Sequence, residues 1–205
     1  RWAPQIRRED GFVRLVWGLG TRAVDRVGND YPRLIALSHP LLRPSTDPKN
    51  IRRYSQQYVD LLDLEDNTLK TLPVLDVLNS TYGPLRYIAQ LEEEGYFRSL
   101  RSSIMDGDPR DLVLTFDELL RRSNFGERMR TILLLLEQAY RGPVDMEFTL
   151  NISPSVTDQP NVCLCILQCR PQAQLIDSGQ VTMPMTLEKE DIVFSTNLMV
   201  PQGEI

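Results

Sequence analysis

The sequence predicts an α+β domain, mostly antiparallel sheet with packed helices, and three observations carry that expectation. Residues 12–17 and 34–37 are β-favouring apolar runs, separated by Gly18-Leu19-Gly20 and by the turn signal Asn29-Asp30-Tyr31-Pro32. Residues 125–140 carry apolar side chains at helical spacing. Residues 144–151 and 162–170 read as two strands joined by a segment rich in Ser, Pro, Asp and Asn, the pattern of a hairpin with a long loop.

Taken in order, the first two runs read as strand, turn, strand. Residues 39–50 hold three prolines among polar residues, which predicts a surface loop before strand-like pieces at 54–64. Residues 71–103 are apolar without a clean period, and within them 87–91 reads as a strand. The helix is expected to start after Asn124 as N-cap, to turn Phe125, Met129, Ile132, Leu133, Leu136 and Tyr140 to one face, and to end at Gly142-Pro143. Beyond Pro171 the chain turns polar, then returns to a strand-like Ile192-Val193-Phe194. We therefore expect one domain over residues 1–171 and a trailing segment over 172–205. The start at Arg1-Trp2, without Met or a leader, and the stop at Ile205 lead us to expect a piece of a longer protein.

A chain of 205 residues can bury one sizeable core. No apolar run approaches the roughly 20 residues of a bilayer span, so no membrane is expected. With a net charge of -5 and basic residues no more clustered than Arg7-Arg8, Arg52-Arg53 and Arg121-Arg122, nucleic acid is not an expected partner. The three cysteines, Cys163, Cys165 and Cys169, crowd one segment instead of forming a spread disulfide framework, which points to a reducing cytoplasm. A closed zinc site needs a fourth ligand that the segment lacks, so the cysteines are expected in the core as small apolar residues. The lone His39, in Ser38-His39-Pro40, reads as a packed or surface residue.

The hairpin carries the chemistry. If Glu147 pairs opposite Gln168, antiparallel geometry sets Asp145 opposite Arg170, and all four side chains share one face. Val144, Met146 and Phe148 then turn to the other face with Cys163, Cys165, Leu167 and Cys169, against the helix of 125–140. Two carboxylates, an amide oxygen and a guanidinium suit a magnesium–nucleotide triphosphate. Mg²⁺ takes one or two protein oxygens beside phosphates and water, and a guanidinium grips a phosphate through two parallel bonds. The same residues also make a solvated polar face with a single Asp145–Arg170 ion pair, and spacing alone favours that plainer reading.

A resemblance shifts the balance. Gly142-Pro143-Val144-Asp145-Met146-Glu147-Phe148, then Ile166-Leu167-Gln168-Cys169-Arg170-Pro171, resembles the end of the ATP-grasp domain of phosphoenolpyruvate synthase and pyruvate phosphate dikinase, with its Pro-x-Asp-Ile-Glu-[Trp/Phe] strand and Gln-x-Arg-Pro. Trp17-Gly18-Leu19-Gly20 is similar to the family's Gly-Leu-Gly segment near the nucleotide, although the family usually has Glu where Thr21 stands. The hairpin loop is longer than usual, and Met146 replaces Ile.

The resemblance implies ATP and Mg as cofactors. Glu147 and Gln168 would sit at metal and phosphates, Arg170 would contact the transferred phosphoryl group, and Asp145, Gly18 and Gly20 would support nucleotide binding. It implies an ATP-grasp-like C-terminal subdomain whose parent is a cytoplasmic phosphotransferase, passing phosphate to a pyruvate-like acceptor through a phosphohistidine carrier. The N-terminal ATP-grasp subdomain and the downstream phosphohistidine domain would lie outside this chain, so the chain alone is expected to be inactive. The competing reading is a non-catalytic scaffold or oligomerisation module with a degenerate nucleotide site.

Overall fold

The computed structural model describes residues 3–24, 28, 30–101, 107–156 and 159–172. The chain divides into two compact units, Arg1–Gln172 and Ala173–Ile205, and the architecture below is that of the first. The strand expected at 192–194 lies outside the described residues.

The expected α+β class is what the chain adopts, among the described residues as four small antiparallel sheets with helices between them. β1 (Phe12–Leu15) pairs with β2 (Arg33–Ala36), setting Val13 opposite Ile35. Buried Val13 and Leu15 alternate with exposed Arg14, the period of a strand covered on one side. Between them lies α1 (Thr21–Val24). The loop expected over 39–50 gives way early to α2 (Pro48–Arg53), because the Asp47 side chain accepts from Lys49 N at 3.2 Å and Pro48 pre-sets the first turn. Tyr54 closes α2, so the strand-like stretch begins at β3 (Tyr58–Asp63), which forms a hairpin with β4 (Thr68–Pro73).

After α3 (Val74–Val77), the strand expected at 87–91 is half helix. α4 (Leu85–Ile88) buries Leu85, Tyr87 and Ile88 together, and the strand starts only at β5 (Ala89–Glu93). β5 is central in a sheet between β6 (Tyr96–Ser99) and β7 (Leu112–Leu114). α5 (Asp117–Arg122) and α6 (Phe125–Tyr140) complete the core, where Ile35, Tyr87, Leu91, Leu119, Phe125 and Met129 are fully buried.

α6 spans the expected residues and buries the expected face at its start, through Phe125 and Met129, while Tyr140 is exposed. Its N-terminus differs from expectation. Asn124 occupies the cap position without a side-chain cap bond, and Ser123 Oγ instead accepts from Phe125 N at 3.3 Å. Arg141, in the left-handed region, ends the helix, with Gly142 N bonded back to Glu137 O at 3.1 Å.

β8 (Val144–Ser153) and β9 (Asn161–Pro171) form the last sheet in the expected register, Glu147 opposite Gln168 and Asp145 opposite Arg170. The sorting of faces expected beyond that point is corrected by a β-bulge. Phe148 pairs with Ile166, so Leu167 has no partner of its own and the parity of β9 inverts. Val162 and Leu164 therefore join Met146, Phe148, Leu150 and Ile152 against the core. Cys163 and Cys165, expected inside, are exposed opposite Asn151 and Thr149, and Leu167 is exposed with them; only Cys169, opposite Met146, is partly covered.

Candidate functional site

The hairpin's inner face fixes its outer one. Phe148 packs on Phe125 of α6 with ring centroids 6.2 Å apart, and Arg128 Nη1 donates to Val162 O at 3.0 Å. Gln172 N donates to Pro143 O at 2.8 Å, closing the open end of the ladder. On the outer face this anchoring leaves Asp145, Glu147, Gln168 and Arg170 exposed in two directly facing pairs. Facing side chains on a ladder start about 5 Å apart, close enough to act on one ligand. Arg170 Nη2 donates to Asp145 Oδ2 at 3.2 Å, with the side chains 60% and 58% exposed. Such a solvated pair contributes about 0–1 kcal/mol, so it is readily given up to a better partner.

The donor set consists of hard oxygens, which fits Mg²⁺. Among the described residues no group of three or more His, Cys, Asp or Glu side chains could hold a metal by itself. Magnesium does not require one when phosphates and water complete its shell.

Gly18 and Gly20 belong to the loop between β1 and α1, which rests on β3 at Gly18. Gly18 has φ +92, and a Cβ there would meet Val59 Cγ2 at 2.3 Å and Asp60 O at 2.8 Å. Glycine is thus required for the loop to lie on the strand. The loop is tied down by Leu19 N donating to Asp60 O at 3.0 Å and by Gln56, whose side chain accepts from Trp17 N and donates to Trp17 O, both at 2.8 Å. Gly20 has open space around it.

Beneath the loop lies a polar network that sequence reasoning missed. Asp60 accepts from Thr21 Oγ1 and Thr71 Oγ1 at 2.6 Å each and from Arg22 Nε at 3.1 Å. Arg22 Nη1 reaches Asp30 Oδ2 at 2.6 Å, and Asp30 also accepts from the backbone N–H groups of Gln57 and Tyr58. Burial pushes the Asp60 carboxyl up, but the hydrogen bonds from Thr21, Thr71 and Arg22 outweigh it and hold the group below the ordinary carboxylate range. No local pattern signals this network, since Asp60 lies 38 and 39 positions from Arg22 and Thr21.

Among the described residues no helix is long and apolar enough to cross a membrane. No curated protein and no solved structure matches the chain significantly. A family model does match, over residues 3–191, which is nearly the whole chain and extends beyond the boundary expected at 171. The chain therefore belongs to the pyruvate phosphate dikinase AMP/ATP-binding domain family.

Proposed function

We propose that this chain supplies the metal and γ-phosphate contacts of an ATP-dependent phosphotransferase, whose parent phosphorylates a pyruvate-like acceptor through a phosphohistidine carrier. Family membership supports the ATP-binding part. The observation that carries the rest is the register, which sets Glu147 against Gln168 and Asp145 against Arg170 on one exposed face.

In this reading the Glu147 carboxylate and the Gln168 amide oxygen hold Mg²⁺. Held there, Mg²⁺ would offset the charge of the phosphates. Arg170 leaves its solvated bond to Asp145 and turns its planar fork on the transferred phosphoryl group, where fixed positive charge is worth most as negative charge spreads. Asp145, facing Arg170 across the ladder, supports the site as a neighbouring carboxylate, and Gly20 leaves room for the nucleotide beside its loop. The chain alone provides one wall of a cleft and is inactive without the other subdomain and the carrier.

A second reading, a scaffold with a degenerate nucleotide site, is favoured by Thr21. Its hydroxyl is committed to Asp60 where the family usually has a carboxylate. One pair of variants in the full-length parent separates the two. Arg170→Lys should lower turnover roughly a hundredfold, about 2.7 kcal/mol of barrier, with melting unchanged, because Lys keeps the charge and loses the fork. Glu147→Gln should lose turnover similarly but recover part of it in excess Mg²⁺, which Arg170→Lys should not. Wild-type rates in Arg170→Lys would end the catalytic reading.

A further inference from the structure

Away from the hairpin, two arginines converge on one carboxylate in a buried place. Arg33 comes from β2, Arg43 from the loop after it, Thr115 follows β7 and Asp117 opens α5. Arg43 Nη2 donates to Asp117 Oδ1 at 2.7 Å and to Thr115 O at 2.9 Å, while Arg33 Nη2 stands 3.6 Å from the same Asp117 oxygen. Arg33 Nη1 also donates to Leu34 O at 2.9 Å, and its Nη2 reaches Pro40 O at 3.4 Å. The Arg33 and Arg43 side chains are 7% and 14% exposed, so one unit of positive charge is left over where water screens little.

The same place holds unused hydrogen-bonding capacity. Arg33 Nε, Arg43 Nε and Thr115 Oγ1 are buried without a hydrogen-bond partner among the described residues, whereas buried polar groups are normally satisfied. Among the described residues two other carboxylates also collect two arginines each, Glu118 from Arg121 and Arg122 and Asp10 from Arg7 and Arg130; Asp10 Oδ2 and Arg130 Nε are likewise without a hydrogen-bond partner, but all four arginine side chains are 30–61% exposed. That exposure puts their surplus charge within reach of solvent screening, unlike that of Arg33 and Arg43. Burial and the neighbouring Arg43 lower the Arg33 guanidinium to about 10, offset in part by Asp117, so it stays charged at neutral pH.

We infer that Arg33, Arg43 and Thr115 form a binding site for a small tetrahedral oxyanion of the phosphate class. Such an ion supplies both things the site lacks, a negative charge and several acceptor oxygens, and the Thr115 hydroxyl can donate to it. A water molecule could accept the hydrogen bonds but would leave the charge. Arg43, the more exposed guanidinium, marks the side of entry. None of these groups lies on β8 or β9, so the inference stands apart from the hairpin proposal.

The test is thermal melting of the full chain titrated with sodium phosphate, sodium chloride holding the ionic strength constant. A saturable rise in melting temperature with phosphate is expected. Thr115→Val should keep the fold, since the hydroxyl makes no bond among the described residues, and should weaken apparent phosphate affinity roughly tenfold. Arg43→Met should abolish the phosphate response; its own stability falls too, so the readout is the response. Arg170→Lys should leave the response intact. Repeating the titration with ADP tells the source: an ADP response that Thr115→Val also weakens assigns the site to a nucleotide phosphoryl group, and one indifferent to it assigns the site to free phosphate. A phosphate response no greater than that of chloride, or one undiminished in both Thr115→Val and Arg43→Met, overturns the inference.

Discussion

The two regions that resemble the family's nucleotide segments use the same chemistry to opposite ends. Around the Gly18 loop, Asp60, Arg22 and Asp30 are buried, and the oxygens of both carboxylates already accept hydrogen bonds from protein donors. On the hairpin, Asp145 and Arg170 make one long bond in solvent, and Glu147 and Gln168 stand exposed beside them. Burial converts an Asp–Arg pair into architecture, because removing one partner strands a charge. Exposure leaves the pair free to exchange partners at little cost.

Breaking each region in turn should expose that contrast. Asp60→Asn has the largest expected effect, a loss of about 3 kcal/mol at neutral pH measured by urea unfolding. The folded-state carboxyl lies below its unfolded value, so its contribution is complete above about pH 4 and fades as the pH falls through the lower folded value. The gap between wild type and Asp60→Asn should therefore narrow in acid; a gap constant with pH would show that the charge is not what matters. Gly18→Ala comes next, at about 2 kcal/mol, since it combines a left-handed backbone with a Cβ driven into Val59 and the Asp60 carbonyl. Unchanged melting would mean that the loop does not rest on β3. Asp145→Ala should cost under about 1 kcal/mol, and a loss as large as that of Asp60→Asn would erase the distinction between the regions. Smallest of all is a purely kinetic effect: a thiol reagent should label Cys163 and Cys165 rapidly and Cys169 slowly in the native chain, and three slow thiols would remove the bulge.

The hairpin register was legible because the turn-rich loop and the facing polar residues agree on one pairing. Parity then carries the argument for as long as the ladder is regular. It fails at Leu167, where one extra residue inverts every later side chain, and nothing in the apolar string Cys163 to Leu167 marks the place. The long helix was legible from its period, but its cap was not: Ser123 and Asn124 are both good capping residues, and only the Ser123 hydroxyl takes up a backbone N–H there. Tyr87 and Ile88 show another limit, since a single buried helical turn and a buried strand look alike in so short an apolar run. The Asp60 network could not be read at all, because its partners meet only once β3 lies under the Gly18 loop. Of the hairpin's polar face the pairing was legible, while the commitment of Thr21 to Asp60 was not.

The bulge at Leu167 has a further consequence for how the chain behaves in a crowd. Among the described residues β8 and β9 pair only with each other, so each presents an outer row of backbone donors and acceptors. Ten- and eleven-residue strands of this kind, with Ile166, Leu167 and two exposed thiols, would make a template for edge-to-edge growth into filaments. The extra residue breaks that row near its middle and steepens the local twist, so an incoming strand finds no long flat run to copy. The irregularity that defeats parity thus also shortens the flat edge that another strand could copy.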